Sequence, residues 1–199
     1  KTQSFQTFMN GVWRDHPVFS MILGICSALA VSNKVENAIA MGAGVTFVLV
    51  ATAIIISLLR NMIPRQVRMI AYMITIASFV IIVDRFLKAY FPTISESIGP
   101  YVGLIITNCI IMGRAEAFYV QNRLGQSIID SIANGIGYTL TLGILAVVRE
   151  VLGFGTIIGF TVVPEGFTPW VVMAMAPGAF FVLVLFIWIS RTIAGMESD

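Results

Sequence analysis

Long apolar stretches, separated by short polar turns, dominate the hydrophobic pattern of this chain. Six of them can be recognised, at about residues 17–33, 37–59, 69–90, 100–113, 128–152 and 169–189. A helix that crosses a bilayer needs about 20 predominantly apolar residues, and most of these stretches approach or exceed that length. The pattern therefore predicts an all-α integral membrane protein with six transmembrane segments.

The first and fourth apolar stretches are short for a complete span. A helix of 14 residues from Pro100 to Gly113 would be about 21 Å long, against a hydrocarbon core of roughly 30 Å. Pro100 suits the first turn of a helix, and Arg114 and Glu116 return the chain to a polar environment. We predict a short or broken half-helix here, and a second one in the stretch that begins at Pro17.

The two cysteines occupy matching places in these short stretches. Cys26 lies nine residues after Pro17, and Cys109 lies nine residues after Pro100. At the rise of an α-helix each thiol is about 13 to 14 Å from its helix start, which is close to the bilayer midplane. Three apolar segments separate the two starts, so the second copy enters from the opposite face. This arrangement predicts an inverted 3+3 repeat of the kind found in membrane proteins with broken helices.

The predicted organisation is an interfacial lead-in at residues 1–16 and one membrane domain at 17–199. Repeat one of this domain would span 17–91 and repeat two would span 100–193. Of the 12 Lys and Arg residues, eight fall on the side of the two termini and four on the other side. Positive loops face the cytoplasm. We therefore expect a multi-pass protein of the bacterial cytoplasmic (inner) membrane with both termini in the cytoplasm.

Composition excludes several classes of function. Hydrophobic residues make up 58% of the chain and charged residues 11%, which excludes a soluble globular domain. The net charge of +2 is thinly spread, so there is no basic surface for nucleic acid. With one histidine and no glycine-rich phosphate loop, no catalytic site and no nucleotide site are expected in this chain alone.

Two interpretations of Cys26 and Cys109 remain open on the residues alone. Each cysteine can pack as a small apolar residue, or each can bind a metal. The symmetric placement, with Gly24 and Gly113 near the thiols, favours metal binding. Iron–sulfur clusters and structural zinc sites usually need four protein ligands. A second polypeptide or a second copy would then supply the other two.

The polar residues beside the second cysteine have two possible roles. Thr107 and Asn108 can donate hydrogen bonds to cluster sulfurs and tune their potential, or they can join neighbouring helices as ordinary polar contacts. Gly24, Thr107, Asn108 and Gly113 are therefore candidate neighbours of a metal site rather than its ligands.

Charged residues near the span ends are expected to have structural roles. We interpret Arg114 and Glu116 as interfacial charges that extend toward the headgroups rather than as an ion pair. A carboxylate at the centre of a span is costly and marks ion pathways, but Asp84, Asp130 and Glu150 lie near predicted ends. The sequence therefore gives little support to an ion pathway through them.

Three motifs resemble a known family. They are LGICSALAV at Leu23 to Val31, IISLLRNMIP at Ile55 to Pro64 and VGLIITNCIIMGRAEAF at Val102 to Phe118. They are similar to the D subunits of the sodium-translocating NADH:quinone reductase, whose close relatives are the E subunits of the Rnf ferredoxin:NAD reductase. The resemblance runs from about Pro17 to Arg191.

Single positions distinguish these two subfamilies. Ser27, Val102 and Gly103 favour the quinone reductase, since Rnf members usually have proline in these places. Tyr119 is a departure, because alanine commonly follows the RAEAF motif.

The resemblance implies a function. In this family the two cysteines matched by Cys26 and Cys109 join two from a homologous subunit of inverted topology to hold a 2Fe-2S cluster inside the membrane. The implied role is a one-electron relay from a cytoplasmic ferredoxin- and flavin-containing subunit that oxidises NADH to a flavin-bearing membrane subunit on the far side. NAD, FAD and FMN would bind only to partners, and ubiquinone would be the final acceptor.

A rival function belongs to another class. A small secondary transporter or ion channel could use an inverted repeat with broken helices directly. Such a protein should have a polar, carboxylate-bearing cavity at mid-depth, whereas this sequence has cysteines there.

Overall fold

The computed structural model describes residues 22–157, 160–161, 172 and 175–193. The helices of this part of the chain are α1 (Ile25–Val31), α2 (Val35–Leu59), α3 (Arg68–Tyr90), α4 (Pro92–Ile106), α5 (Cys109–Arg114), α6 (Leu124–Phe154) and α7 (Ala176–Ile193). A 3-10 turn at Arg65–Val67 precedes α3, and a π-helical turn at Ala115–Tyr119 follows α5. Two short antiparallel strands, β1 (Thr156–Ile157) and β2 (Phe160–Thr161), follow α6.

The described helices have the length and apolar composition of a multi-pass membrane protein. Segments long and apolar enough to cross a membrane are Val35–Leu59, Arg65–Tyr90, Gly99–Tyr119 and Leu124–Phe154. A shorter apolar helix covers Pro177–Thr192. The predicted helical membrane protein is therefore confirmed at this level, and the count of six segments stays a prediction. The lead-in at 1–16 lies outside the described residues.

Helix boundaries agree with the apolar pattern except around the fourth segment. The predicted spans at 37–59, 69–90 and 128–152 correspond to α2, α3 and α6. The predicted loop from Pro92 to Gly99 is wrong, because these residues are helical and form the first half of α4. Pro92 is the first-turn proline, and Pro100 lies inside the helix. The sequence contains two prolines that can start a helix, and the structure uses the earlier one.

The central contact of the fold joins α2 and α6 through glycines. A methyl group added at Gly42 would lie 2.6 Å from the Thr139 side chain, and one added at Gly135 would lie 2.6 Å from the Thr46 side chain. Residue numbers rise along one helix as they fall along the other, so the two helices run antiparallel. Small residues allow such close approach between membrane helices.

Candidate metal centre

The fourth membrane segment is interrupted directly before its cysteine. Helix α4 ends at Ile106 and α5 begins at Cys109, with Thr107 and Asn108 between them. Asn108 is in an extended conformation, and its side-chain oxygen accepts a hydrogen bond from the Ile110 N–H at 3.1 Å. This is a helix N-cap. The broken helix is therefore present, but Asn108 rather than Gly113 marks the break.

A second special backbone position precedes the other cysteine. Gly24 has φ 83° and ψ 9°, the left-handed region, and it is the residue before α1. A Cβ at this position would overlap the Ile110 side chain and would lie 3.1 Å from Tyr138 Cε2. Both the conformation and the available space require glycine here. Cys26 is consequently the second residue of α1.

A hydrogen bond connects the two cysteine-bearing segments. The Gly24 N–H donates to Cys109 Sγ at a donor–acceptor distance of 2.8 Å, across 85 positions of sequence. Both cysteines are free thiols, with Cys109 half-buried and Cys26 exposed on the surface of this chain. The fold thus brings the segment before Cys26 to the sulfur of Cys109 and leaves the Cys26 side chain accessible.

Three buried polar side chains surround this junction. Ser27 Oγ lies 2.6 Å from the Tyr138 hydroxyl, accepts from Asn108 Nδ2 at 3.3 Å and donates to the Gly24 carbonyl at 3.1 Å. Ser27 follows one cysteine and Asn108 precedes the other. Tyr138 was not among the residues predicted from the sequence. A signal was present, because a tyrosine in the interior of a span must find a partner for its hydroxyl.

The four predicted neighbours of the metal site have different environments. Gly24 and Asn108 lie at the junction of the two cysteine segments. Thr107 is exposed on this chain. Gly113 lies inside α5, where an added methyl group would be 3.1 Å from Leu23 Cδ1. Gly113 therefore allows α5 to pack against the chain leading into α1.

Arg114 is buried in an ion pair, which contradicts its predicted interfacial position. Its side chain pairs with Asp130 on α6, with Nε donating to Oδ2 at 2.9 Å, and its guanidinium lies 5.3 Å from the centre of the Phe118 ring. Arg114 is 4% exposed and Asp130 is 1% exposed. The partner is 16 residues away in sequence on another helix, so the local pattern around Arg114 did not reveal it. Glu116 pairs instead with Arg68, at 3.1 Å.

Arg149 and Glu150 secure the turn between α1 and α2. The Arg149 guanidinium donates to the Leu29 carbonyl at 3.2 Å and to Ser32 Oγ at 2.6 Å, at the end of α1. Glu150 accepts the N–H of Val35, the first residue of α2, at 2.9 Å. A cation at a helix C-terminus and an anion at a helix N-terminus both interact favourably with the helix dipoles. These two residues therefore stabilise the short helix that carries Cys26.

Comparison with known proteins identifies the family. The description "Rnf-Nqr subunit, membrane protein" matches residues 4–187. The chain belongs to this family. The family-level resemblance carried by the three sequence motifs is therefore confirmed.

Several relatives of this family member carry one name, that of the D subunit of the Na(+)-translocating NADH-quinone reductase. The protein from Chlamydia trachomatis is 44% identical over 196 residues, which cover 94% of this chain and 92% of its own. The protein from Psychromonas ingrahamii is 46% identical over 183 residues, covering 89% and 87%. The protein from Yersinia enterocolitica is 44% identical over 193 residues, covering 94% and 92%.

Proposed function

We propose that this chain is the D subunit of a sodium-translocating NADH:quinone reductase and that it supplies two thiolate ligands to an intramembrane 2Fe-2S cluster. The observation that carries the proposal is the hydrogen bond from the Gly24 N–H to Cys109 Sγ. It brings together two helix starts that each present a cysteine, although 85 residues separate the bonded groups. Two independent apolar cysteines would not need such an arrangement.

The donor set suits half of a cluster site. Iron–sulfur clusters are held by four protein ligands, usually thiolates. In the described ranges no three or more His, Cys, Asp or Glu side chains gather as a metal site, so Cys26 and Cys109 would need two further thiolates from a partner. Cys26 is exposed on this chain, which lets its sulfur meet a second subunit. The Gly24 N–H suits a thiolate acceptor, since hydrogen bonds to cluster sulfurs are a common tuning device.

The residues of this chain would hold and shield the cluster. A bound 2Fe-2S cluster supplies one-electron transfer. Cys26 and Cys109 would bind iron, and the Gly24 N–H would orient Cys109 Sγ. Ile110 and Ile111 are both fully buried directly after Cys109. Such apolar surroundings limit access of water to a metal site and so influence its potential.

The proposed architecture is an inverted 3+3 repeat of six segments. Two observations support it. The pattern I-A-x-G-x-G-x-T occurs at 39–46 on α2 and again at 132–139 on α6. The contacts of Gly42 with Thr139 and of Gly135 with Thr46 are reciprocal, as expected when a two-fold axis relates two elements. An axis in the membrane plane would give the two repeats opposite topologies.

The proposal includes specific partners. A homologous subunit of inverted topology would supply the remaining two cysteines. A cytoplasmic subunit with ferredoxin and flavin domains would oxidise NADH and deliver electrons, and flavin-bearing membrane subunits would receive them. NAD, FAD and FMN would reside on these partners. The complex would lie in the bacterial cytoplasmic membrane with both termini of this chain in the cytoplasm, as the distribution of Lys and Arg favours.

Two alternatives are less well supported. The E subunit of an Rnf complex would have the same relay role, but the relatives described above carry the quinone reductase name. An ion channel or transporter would need carboxylates available to a cation. Instead Asp130 pairs with Arg114, and Glu150 accepts the Val35 N–H.

Replacement of either cysteine in the assembled complex tests the proposal. Cys26→Ala and Cys109→Ala should each abolish the intramembrane cluster, measured as iron and acid-labile sulfide per complex, together with electron transfer to quinone. Flavin content reports whether the partners are still assembled. Ser78→Ala, at an exposed position on α3, is the control and should retain the cluster. An assembled Cys109→Ala complex with unchanged iron content and turnover would show that Cys109 is not a ligand.

A further inference from the structure

Tyr138 is a fully buried residue of α6 that contacts both cysteine-bearing segments. Its hydroxyl lies 2.6 Å from Ser27 Oγ, the residue directly after Cys26. Ser27 Oγ in turn accepts a hydrogen bond from Asn108, the residue directly before Cys109. One side chain on a third helix is thus connected to the immediate neighbours of both cysteines.

The hydrogen-bonding capacity of Ser27 determines the direction of these bonds. A serine hydroxyl can donate once and accept twice. Ser27 donates to the Gly24 carbonyl at 3.1 Å and accepts from Asn108 Nδ2 at 3.3 Å. The Tyr138 hydroxyl is therefore the donor to the second lone pair of Ser27. With this bond Ser27 has no unused hydrogen-bonding position, and a buried network in this condition specifies one arrangement.

The ring of Tyr138 acts on the same junction. Tyr138 Cε2 would lie 3.1 Å from a Cβ at Gly24, so the aromatic edge closes the space beside that glycine. Gly24 is the donor to Cys109 Sγ. The ring therefore supports Gly24, and the hydroxyl connects α6 to the network that includes Ser27 and Asn108.

We propose that Tyr138 is a positioning residue that sets the relative placement of the Cys26 and Cys109 sulfurs through Ser27, Asn108 and Gly24. The inference rests on the proposed function, because it assumes that these thiols bind the cluster. Residues that orient metal ligands without touching the metal commonly change affinity by about 10- to 100-fold when replaced. The hydroxyl of Tyr138 should have an effect of this kind, while its ring provides packing.

The test is Tyr138→Phe in the intact complex, with Tyr119→Phe as a matched control. Both tyrosines are fully buried, and the Tyr119 hydroxyl also takes part in one hydrogen bond, accepting from Ser131 at 2.8 Å. Each substitution removes one oxygen and one buried hydrogen bond. The two variants should therefore lose similar thermal stability, whereas only Tyr138→Phe removes a contact with the cysteine segments.

The decisive measurements concern the cluster itself. Tyr138→Phe should change the electron paramagnetic resonance spectrum and the midpoint potential of the reduced cluster and should release iron to a chelator about tenfold faster or more. Tyr119→Phe should leave all three unchanged. Equal behaviour of the two variants in these measurements would overturn the positioning role and leave Tyr138 as a packing residue.

A second pair of variants covers the case in which Tyr138→Phe does not assemble. Ser27→Ala removes the centre of the network and should reproduce the spectral and potential changes, while Ser131→Ala is its control. A wild-type-like cluster in Ser27→Ala would contradict the inference. The outcome for the proposed function is separate, since only retention of the cluster in the Cys26→Ala or Cys109→Ala complex would overturn it.

Discussion

The main-chain nitrogen of Gly24 and the sulfur of Cys109 lie 2.8 Å apart and form a hydrogen bond between two interrupted parts of the chain. Gly24 can approach so closely because it has no Cβ and adopts a left-handed conformation, with φ 83°. Asn108 caps the helix that begins with Cys109. The two breaks therefore complete one another, since a backbone donor freed at one break is satisfied at the other.

We expect Gly24→Ala to disrupt the cysteine junction. The left-handed conformation costs a residue with a Cβ roughly 1 to 2 kcal/mol, and the added methyl group would overlap the Ile110 side chain. The backbone must move, which lengthens the bond to Cys109 Sγ. Iron per assembled complex should fall, and the thermal midpoint of unfolding should decrease.

Gly143→Ala is the control for this change. Gly143 lies within α6, and nothing is found within 4 Å of an added methyl group. A helical Gly→Ala change at such a place is neutral or slightly stabilising. If Gly24→Ala retained iron to the same extent as Gly143→Ala, the junction would not depend on the close approach at Gly24.

The second prediction concerns the antiparallel contact between α2 and α6. Gly42→Ala should destabilise the protein by about 1 to 3 kcal/mol, because overpacking in a tight interface forces side chains and backbone to shift. Gly135→Ala should have a similar effect, since the contacts at Gly42 and Gly135 have the same 2.6 Å spacing. Thermal or denaturant unfolding of the reconstituted protein measures both.

A compensating variant identifies the cause of this destabilisation. In the double variant Gly42→Ala with Thr139→Gly, the methyl group gains the space of the threonine side chain. Stability should be recovered except for about 1 kcal/mol, the cost of glycine in a helix. Additive losses in the double variant would mean that Gly42 and Thr139 are not in the direct contact described.

The third prediction concerns the buried ion pair of Arg114 and Asp130. Asp130→Asn should cost about 3 to 5 kcal/mol, because it leaves a buried guanidinium without its carboxylate. Arg114 lies on α5, the helix that begins with Cys109, so loss of the pair should also displace α5 from α6. The free energy of unfolding and the iron content of the complex should decrease together.

Asp84→Asn is the matched control for this prediction. Asp84 pairs with Lys88 at 2.7 Å on α3, but their side chains are 22% and 55% exposed. Exposed pairs of this kind contribute about 0 to 1 kcal/mol. A loss of stability for Asp130→Asn that is no greater than for Asp84→Asn would contradict the assignment of a buried, structurally important pair.

The apolar pattern by itself determined the membrane class and the positions of α2, α3 and α6. Span length follows from bilayer thickness, so a run of apolar residues reports a span without knowledge of its neighbours. The family could also be recognised from local motifs, because residues 23–31 and 102–118 retain their order and spacing. The matching positions of the two cysteines directed attention to the right segments.

Only the tertiary structure decided where the helices break and which polar residues meet. A membrane helix can break only where the freed N–H and C=O groups find other partners. At Gly24 the partner is Cys109, far along the chain. Buried polar groups such as Arg114 and Tyr138 likewise bind partners on distant segments. Local periodicity reports the surrounding solvent, whereas these pairings depend on how the helices pack, which is why hydrophobicity alone did not reveal them.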